Sequence, residues 1–137
     1  YQKGSILSKI QKMAINNLTL RTKYKKDEIL MHKYSIDDFW GEVQRDIEKK
    51  NYLAFGIDSQ LLINNILELF LKFNGEYMRQ PNEMYKILTK LDAAFSNLIE
   101  QFYKTKEARA KIRILEKLVR YTYRKSKGGL PKNWSVM

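Results

Sequence analysis

The chain contains no cysteine and a single histidine, His32, among its 137 residues. Without cysteine it forms neither a disulfide nor a thiolate zinc site, and one histidine falls short of the usual zinc ligand sets. A nucleophile–histidine–acid triad would have to use His32, and nothing near it in the sequence suggests one. The absence of cysteine is compatible with a reducing compartment, and we expect a cytoplasmic protein.

Glycine and proline are also scarce, with six and two residues. This composition argues against a loop-rich β fold and against a disordered linker. The longest apolar stretch, residues 61–73, is too short to span a bilayer and is interrupted by polar residues. No strand-like alternation with turn residues is present. The sequence therefore favours a helical fold and no membrane partner.

Apolar residues recur at steps of three and four along nearly the whole chain, which is typical of amphipathic helices. Residues 25–33 either continue the first helix or begin another. Helix starts are predicted at Ser5, Ser35, Pro81, Asp92 and Thr105. The last helix is predicted to end near Lys125, before Gly128 and Gly129.

The segment from about Asp58 to Tyr77 is apolar on most of its circumference, so we expect this helix at the centre of the fold, with Ile66 and Phe70 buried. Short connections between long helices favour antiparallel neighbours. We therefore predict an all-α bundle of five or six mostly antiparallel helices. Residues 1–137 are expected to form a single helical domain, as the C-terminal part of a longer protein.

The net charge of +11 is unevenly distributed, with +6 on residues 1–34, −4 on residues 35–100 and +9 on residues 101–137. In the last helix five cations follow steps of 4, 4, 3 and 4 and so occupy one face over about 22 Å. These cations are Arg109, Arg113, Lys117, Arg120 and Arg124. They indicate a site for a polyanion or a phosphate-bearing ligand.

Three aromatic residues near these cations, Tyr121, Tyr123 and Trp134, could stack on nucleic-acid bases. The alternative is a solvated helix face, whose aromatic residues pack inward and whose cations pair with acids of the middle segment. The sequence leaves both interpretations open.

Gly4-Ser5 would begin a nucleotidyltransferase signature, but that signature needs two carboxylates one residue apart shortly downstream to hold Mg²⁺. The nearest such pair, Asp46 and Glu48, follows about forty residues later. Residues at i and i+2 of a helix do not share a face, so we interpret both as surface residues. The chain by itself is therefore not expected to be an enzyme.

Residues 45–92, RDIEKKNYLAFGIDSQLLINNILELFLKFNGEYMRQPNEMYKILTKLD, resemble the helical C-terminal domain of small nucleotidyltransferases of the polymerase-β superfamily. The resembling features are a long apolar helix, the pattern Phe73-Asn74-Gly75 with Tyr77, and Pro81. The tail LEKLVRYTYRKSKGGLP is similar to the closing helix of that family. The resemblance extends over residues 35–131.

The resemblance implies a domain that packs against an upstream catalytic domain and walls its acceptor-substrate cleft, with Asn74 and Tyr77 as cleft candidates. It also implies that the Mg²⁺ and nucleotide ligands lie in that other domain, so that this chain holds no cofactor. We therefore expect a non-catalytic accessory domain. The alternatives are a basic helical nucleic-acid-binding module and a protein-interaction subunit.

Overall fold

The computed structural model of the protein describes the backbone of residues 3–130 and the side chains of residues 26–130. Within that range it contains five α-helices and no strand, which confirms the predicted all-α bundle. None of the helices, as far as they are described, is long and apolar enough to cross a membrane. The helices are α1 (Lys3–Glu48), α2 (Tyr52–Phe73), α3 (Pro81–Leu91), α4 (Ala93–Lys104) and α5 (Ala108–Lys125).

Side-chain contacts between the helices establish their directions. The Lys72 ammonium lies 3.3 Å from the Glu28 carboxylate, and Asn65 contacts His32. Lower residue numbers in α1 thus meet higher numbers in α2, so the two helices form an antiparallel hairpin. The α5 helix runs antiparallel to α4, because Tyr121 near its end contacts Asp92 at the start of α4.

The α2 helix provides the centre of the core, as its apolar composition predicted. Ile66 and Phe70 are buried, and the ring of Phe70 stacks on Phe95 of α4 with centroids 4.0 Å apart and planes 6° apart. The buried hydrophobic residues of α2 are Phe55, Leu62, Ile63, Ile66, Leu67, Leu69, Phe70 and Leu71. Residues from α1, α4 and α5 complete the same hydrophobic cluster.

The predicted helix start at Ser35 is wrong, because α1 continues through it over 46 residues. Ile29, Ile36 and Val43, seven residues apart, all belong to or pack against the common core. Burial of this continuous apolar face against the bundle outweighs the local start signal. The predicted start at Ser5 is also not found, because the backbone of α1 is already helical at Lys3. The side chains of the first apolar stripe lie outside the described residues.

The α2 helix begins at Tyr52, earlier than predicted, because the Asn51 side chain accepts a hydrogen bond from the Ala54 N–H. It also ends earlier, at Phe73. Gly75 has φ +74°, and the Glu76 N–H donates to the carbonyl of Leu71 at 2.8 Å. Together with the bond from the Gly75 N–H to Lys72, this is a Schellman turn.

The predicted starts at Pro81 and Asp92 are confirmed, since Asp92 accepts hydrogen bonds from the first backbone N–H groups of α4. The start at Thr105 is wrong. Thr105 ends α4, where its hydroxyl donates to the Gln101 carbonyl at 2.7 Å, and α5 begins at Ala108. The end of α5 at Lys125 agrees with the prediction.

Candidate polyanion-binding site

Five cations lie along the solvent side of α5 and are called here the basic surface. The apolar pattern of α5 explains their direction, since Leu115, Leu118 and Val119 on the other side are buried in the core. All five cationic residues are exposed. The basic surface consists of Arg109, Arg113, Lys117, Arg120 and Arg124, which is the set predicted from the spacing.

Few anions neutralise the basic surface. The α5 helix contains seven basic residues and one acidic residue, Glu116, whose carboxylate pairs with Arg120 at 2.6 Å. Within the described residues, Arg109, Arg113 and Lys117 make no ion pair or hydrogen bond. Like charges one helical turn apart repel each other, and a bound anion relieves that repulsion.

The acids of the middle segment do not reach the basic surface. Asp37 accepts a hydrogen bond from the Tyr123 hydroxyl, and Glu42 pairs with Arg45 at 2.6 Å. No ion pair among the described side chains joins Asp37, Asp38, Glu42 or Asp46 to any of the five cations. Internal neutralisation, the alternative considered for these cations, is therefore not found in this part of the chain.

Tyr121 and Tyr123 both pack against the core, and their hydroxyls donate hydrogen bonds to residues of other helices or helix caps. The Tyr121 hydroxyl donates to Asp92 at 2.6 Å, and burial followed by this hydrogen bond raises the pKa of Tyr121 to about 12. The pKa of Tyr123 is also raised, first by burial and then by its bond to Asp37. The two tyrosines thus join helices to each other. Trp134, the third aromatic residue of the stacking prediction, lies outside the described residues.

A groove between α1 and α5 places a different aromatic ring beside the basic surface. Half-buried Trp40 lines this groove of about 410 Å³ together with Arg113 and Arg120. No sequence pattern singled out Trp40 for this position. Its position beside the cations depends on the packing of α1 against α5, for which no local pattern exists.

The cleft candidates Asn74 and Tyr77 lie after the end of α2, and no contact joins them to the basic surface within the described residues. The Asn74 side chain donates to the carbonyl of Phe70 at 2.8 Å and so caps the helix. Tyr77 is 67% exposed and carries the Arg79 guanidinium 3.7 Å above its ring. Asn74 thus has a structural role at the end of α2, whereas the ring of Tyr77 is open to solvent.

The only histidine joins α1 to α2. One ring nitrogen of His32 lies 3.1 Å from the Asn65 side-chain oxygen, and the other lies 2.9 Å from Lys72 and 3.2 Å from Glu68. Each neighbour projects from α2, so these polar contacts fix the register of the hairpin.

A cluster of three carboxylates, Glu42, Asp46 and Asp58, lies between α1 and α2. Sequence reasoning missed it and placed Asp46 on the surface, which is wrong, since Asp46 is only 8% exposed. The pKa of Asp58 is raised to about 6, first by a hydrogen bond to Asp46, then by burial and by the neighbouring negative charges. The spacing of Glu42 and Asp46, one helical turn apart, was the signal available in the sequence.

Comparison with known proteins provides no relative: no family model, no curated protein and no solved structure matches the chain. The resemblance to nucleotidyltransferase accessory domains therefore stays a prediction.

Proposed function

We propose that this protein is a helical binding module that holds a phosphate-rich polyanion, namely the backbone of a nucleic acid, on the basic surface of α5. One observation carries the proposal: four of the five exposed cations have no anionic partner among the described residues, since only Arg120 pairs with an acid, Glu116. Cations that are neutralised inside the protein have little to offer a ligand, whereas these retain their full capacity for phosphate contacts.

The groove beside Trp40 favours single-stranded over double-stranded nucleic acid. Arg113 and Arg120 flank the groove and can contact phosphates, while the half-buried indole offers part of its surface to an unpaired base. Proteins that bind single strands without sequence preference combine a cationic track with aromatic surfaces in this way.

The test is fluorescence anisotropy with a labelled single-stranded oligonucleotide over a salt series. We expect the affinity to fall with salt with a log–log slope of about −0.7 per phosphate contact. Simultaneous Arg113→Glu and Lys117→Glu substitution should weaken binding by at least about tenfold and reduce the slope by about 1.4. The loss should be the same for different sequences, because phosphate contacts carry no base information.

A matched control changes the net charge equally at another place. Lys86→Glu with Lys90→Glu reverses two exposed cations on α3. We expect this control to retain most of the affinity. An equal loss of affinity in both double variants would show that only the net charge matters and not the position of the cations. Absence of binding at low salt would contradict the proposal.

A second candidate function, that of an accessory domain on a nucleotidyltransferase-like catalytic domain, is favoured by a different surface. Leu53, Ile57 and Leu61 are 78%, 56% and 39% exposed and follow each other at steps of four along α2. Adjacent exposed apolar side chains of this size are typical of protein interfaces. They lie within the segment that resembles the family, so a catalytic domain is the partner proposed for them.

Single-cysteine labelling tests this second candidate, because the native sequence has no cysteine. We expect a Leu53→Cys variant to react quickly with a maleimide in the isolated chain and at least about tenfold more slowly in a protein that also contains the proposed catalytic domain, because an interface excludes the reagent. Glu83→Cys on exposed α3 is the control and should react equally in both. Equal reactivity of Leu53→Cys in both proteins would exclude docking through this stripe.

A further inference from the structure

The three carboxylates between α1 and α2 are not used by either proposed function. Glu42 and Asp46 lie one turn apart on α1, and Asp58 faces them from the second turn of α2. One carboxylate oxygen of each residue lies within 4.8 Å of the corresponding oxygens of the other two. The cluster thus collects like charges from two helices at one point.

Asp46 supplies the observation that points to a ligand. Its side chain is more than nine-tenths buried, and its Oδ2 atom is inaccessible and has no hydrogen-bond partner. Buried carboxylate oxygens normally accept hydrogen bonds or coordinate a cation, because an uncompensated buried charge is strongly unfavourable. The groups that face Asp46 from the other two residues are carboxylates, which are acceptors when ionised, so Asp58 donates a hydrogen bond to Asp46 only in its protonated form.

Arg45, a cation on the same helix, does not neutralise the buried carboxylate of Asp46. Arg45 pairs with Glu42 through an exposed guanidinium, and no ion pair joins it to Asp46 or Asp58 in the described part of the chain. The charge of Asp38 adds to the negative potential that acts on Asp58. The site therefore keeps an excess of negative charge around a buried, unpartnered oxygen.

We propose that Glu42, Asp46 and Asp58 form a binding site for a divalent cation, with Ca²⁺ as the ion that fits best. Calcium binds carboxylate oxygens at about 2.3–2.6 Å, so two oxygens on one Ca²⁺ lie at most about 5 Å apart. Magnesium, at about 2.0–2.1 Å, demands near-ideal octahedral geometry, whereas calcium accepts an irregular set of carboxylates from two helices. Water molecules complete the coordination shell on the solvent side.

The chemical consequence is a cross-link between α1 and α2. Two ligands come from α1 and one from α2, so the ion binds the folded hairpin and has no comparable site in the unfolded chain. Binding to the folded state alone raises the melting temperature as the ion concentration rises. This effect is independent of the basic surface on α5 and of any nucleic acid.

The experiment uses chelator-treated protein and follows thermal unfolding and calorimetry in CaCl₂, MgCl₂ and MnCl₂, with NaCl at equal ionic strength as a reference. We expect a saturable rise in Tm and a binding heat with Ca²⁺ and a smaller response to Mg²⁺. Asp46→Asn and Asp58→Asn should abolish both responses. Glu83→Gln, an exposed carboxylate on α3, is the matched control and should leave them unchanged.

Three results would overturn the proposal. The first is no rise in Tm at millimolar Ca²⁺ beyond that in NaCl, and the second is a rise in Asp46→Asn and Asp58→Asn as large as in the unsubstituted protein. The third is a loss of the Ca²⁺ response in Glu83→Gln as large as in the Asp46 and Asp58 variants. A larger response to Mg²⁺ than to Ca²⁺ would overturn the choice of ion. If Asp46→Asn does not fold, Glu42→Gln provides the test, because Glu42 is only half-buried. This substitution removes one charged ligand and should weaken Ca²⁺ affinity at least about tenfold. Unchanged affinity in Glu42→Gln and Asp58→Asn would then exclude the site.

Discussion

Replacement of Phe70 by alanine should lower the free energy of unfolding by about 3–5 kcal/mol. Phe70 is buried in the centre of the core, and its ring stacks on Phe95 at a centroid distance of 4.0 Å. The substitution removes this contact and leaves a cavity between α2 and α4 that the surrounding helices fill only in part. Urea denaturation followed by far-ultraviolet circular dichroism measures the loss, and Ile66→Ala should cost about 2–5 kcal/mol in the same experiment.

The exposed stripe of the same helix provides the control for Phe70. Leu53→Ala removes a large apolar side chain from α2 at a position that is 78% exposed, and the free energy of unfolding should change by no more than about 0.5 kcal/mol. A loss below about 1 kcal/mol in Phe70→Ala would be incompatible with a packed site of this kind. Equal losses at Phe70 and Leu53 would contradict the orientation of α2.

Replacement of Asp92 by alanine should lower the free energy of unfolding by about 2–4 kcal/mol, because one carboxylate serves two purposes. Its Oδ1 atom accepts hydrogen bonds from the Ala94 and Phe95 N–H groups and so caps α4. Its Oδ2 atom accepts the Tyr121 hydroxyl at 2.6 Å and so joins α4 to α5. Loss of the cap costs about 1 kcal/mol, and an unpaired, partly buried hydroxyl costs about 1–3 kcal/mol.

A double-mutant cycle separates the two contributions of Asp92. In the Asp92→Ala background, Tyr121→Phe should recover part of the loss, because it removes the hydroxyl that has lost its acceptor. Asn97→Ala, at an exposed position of α4, is the control and should cause no loss. A cycle in which the effects of Asp92→Ala and Tyr121→Phe simply add would show that the hydrogen bond between them contributes nothing.

Local signals predicted those parts of the fold in which neighbouring residues determine the outcome. Pro81 begins α3 because its fixed φ and missing N–H suit a first helical turn, and Asp92 begins α4 because its own side chain caps the next residues. The start signal at Ser35 failed for the complementary reason. There the apolar face of α1 continues through the signal, and its burial against the bundle outweighs a single cap.

The candidate site divides in the same way. The spacing of the five cations placed them on one face of a helix, since a helical period is a property of a single segment. The groove beside Trp40 and the hydrogen bonds of the Tyr121 and Tyr123 hydroxyls result from contacts between segments far apart in sequence. No periodicity within one segment contains that information.

The sequence by itself determined that this protein is an all-α bundle with a central apolar helix and a cationic last helix. Amphipathic periodicity and charge depend only on the residues within one segment. Only the tertiary structure decided which acidic residues lie away from those cations and which carboxylates lie close to one another. The carboxylate of Asp46 lies at the helix interface, where the hairpin brings Asp58 against it across a chain connection of only a few residues. Their proximity depends on the register of α1 against α2, which packing over the whole length of both helices fixes.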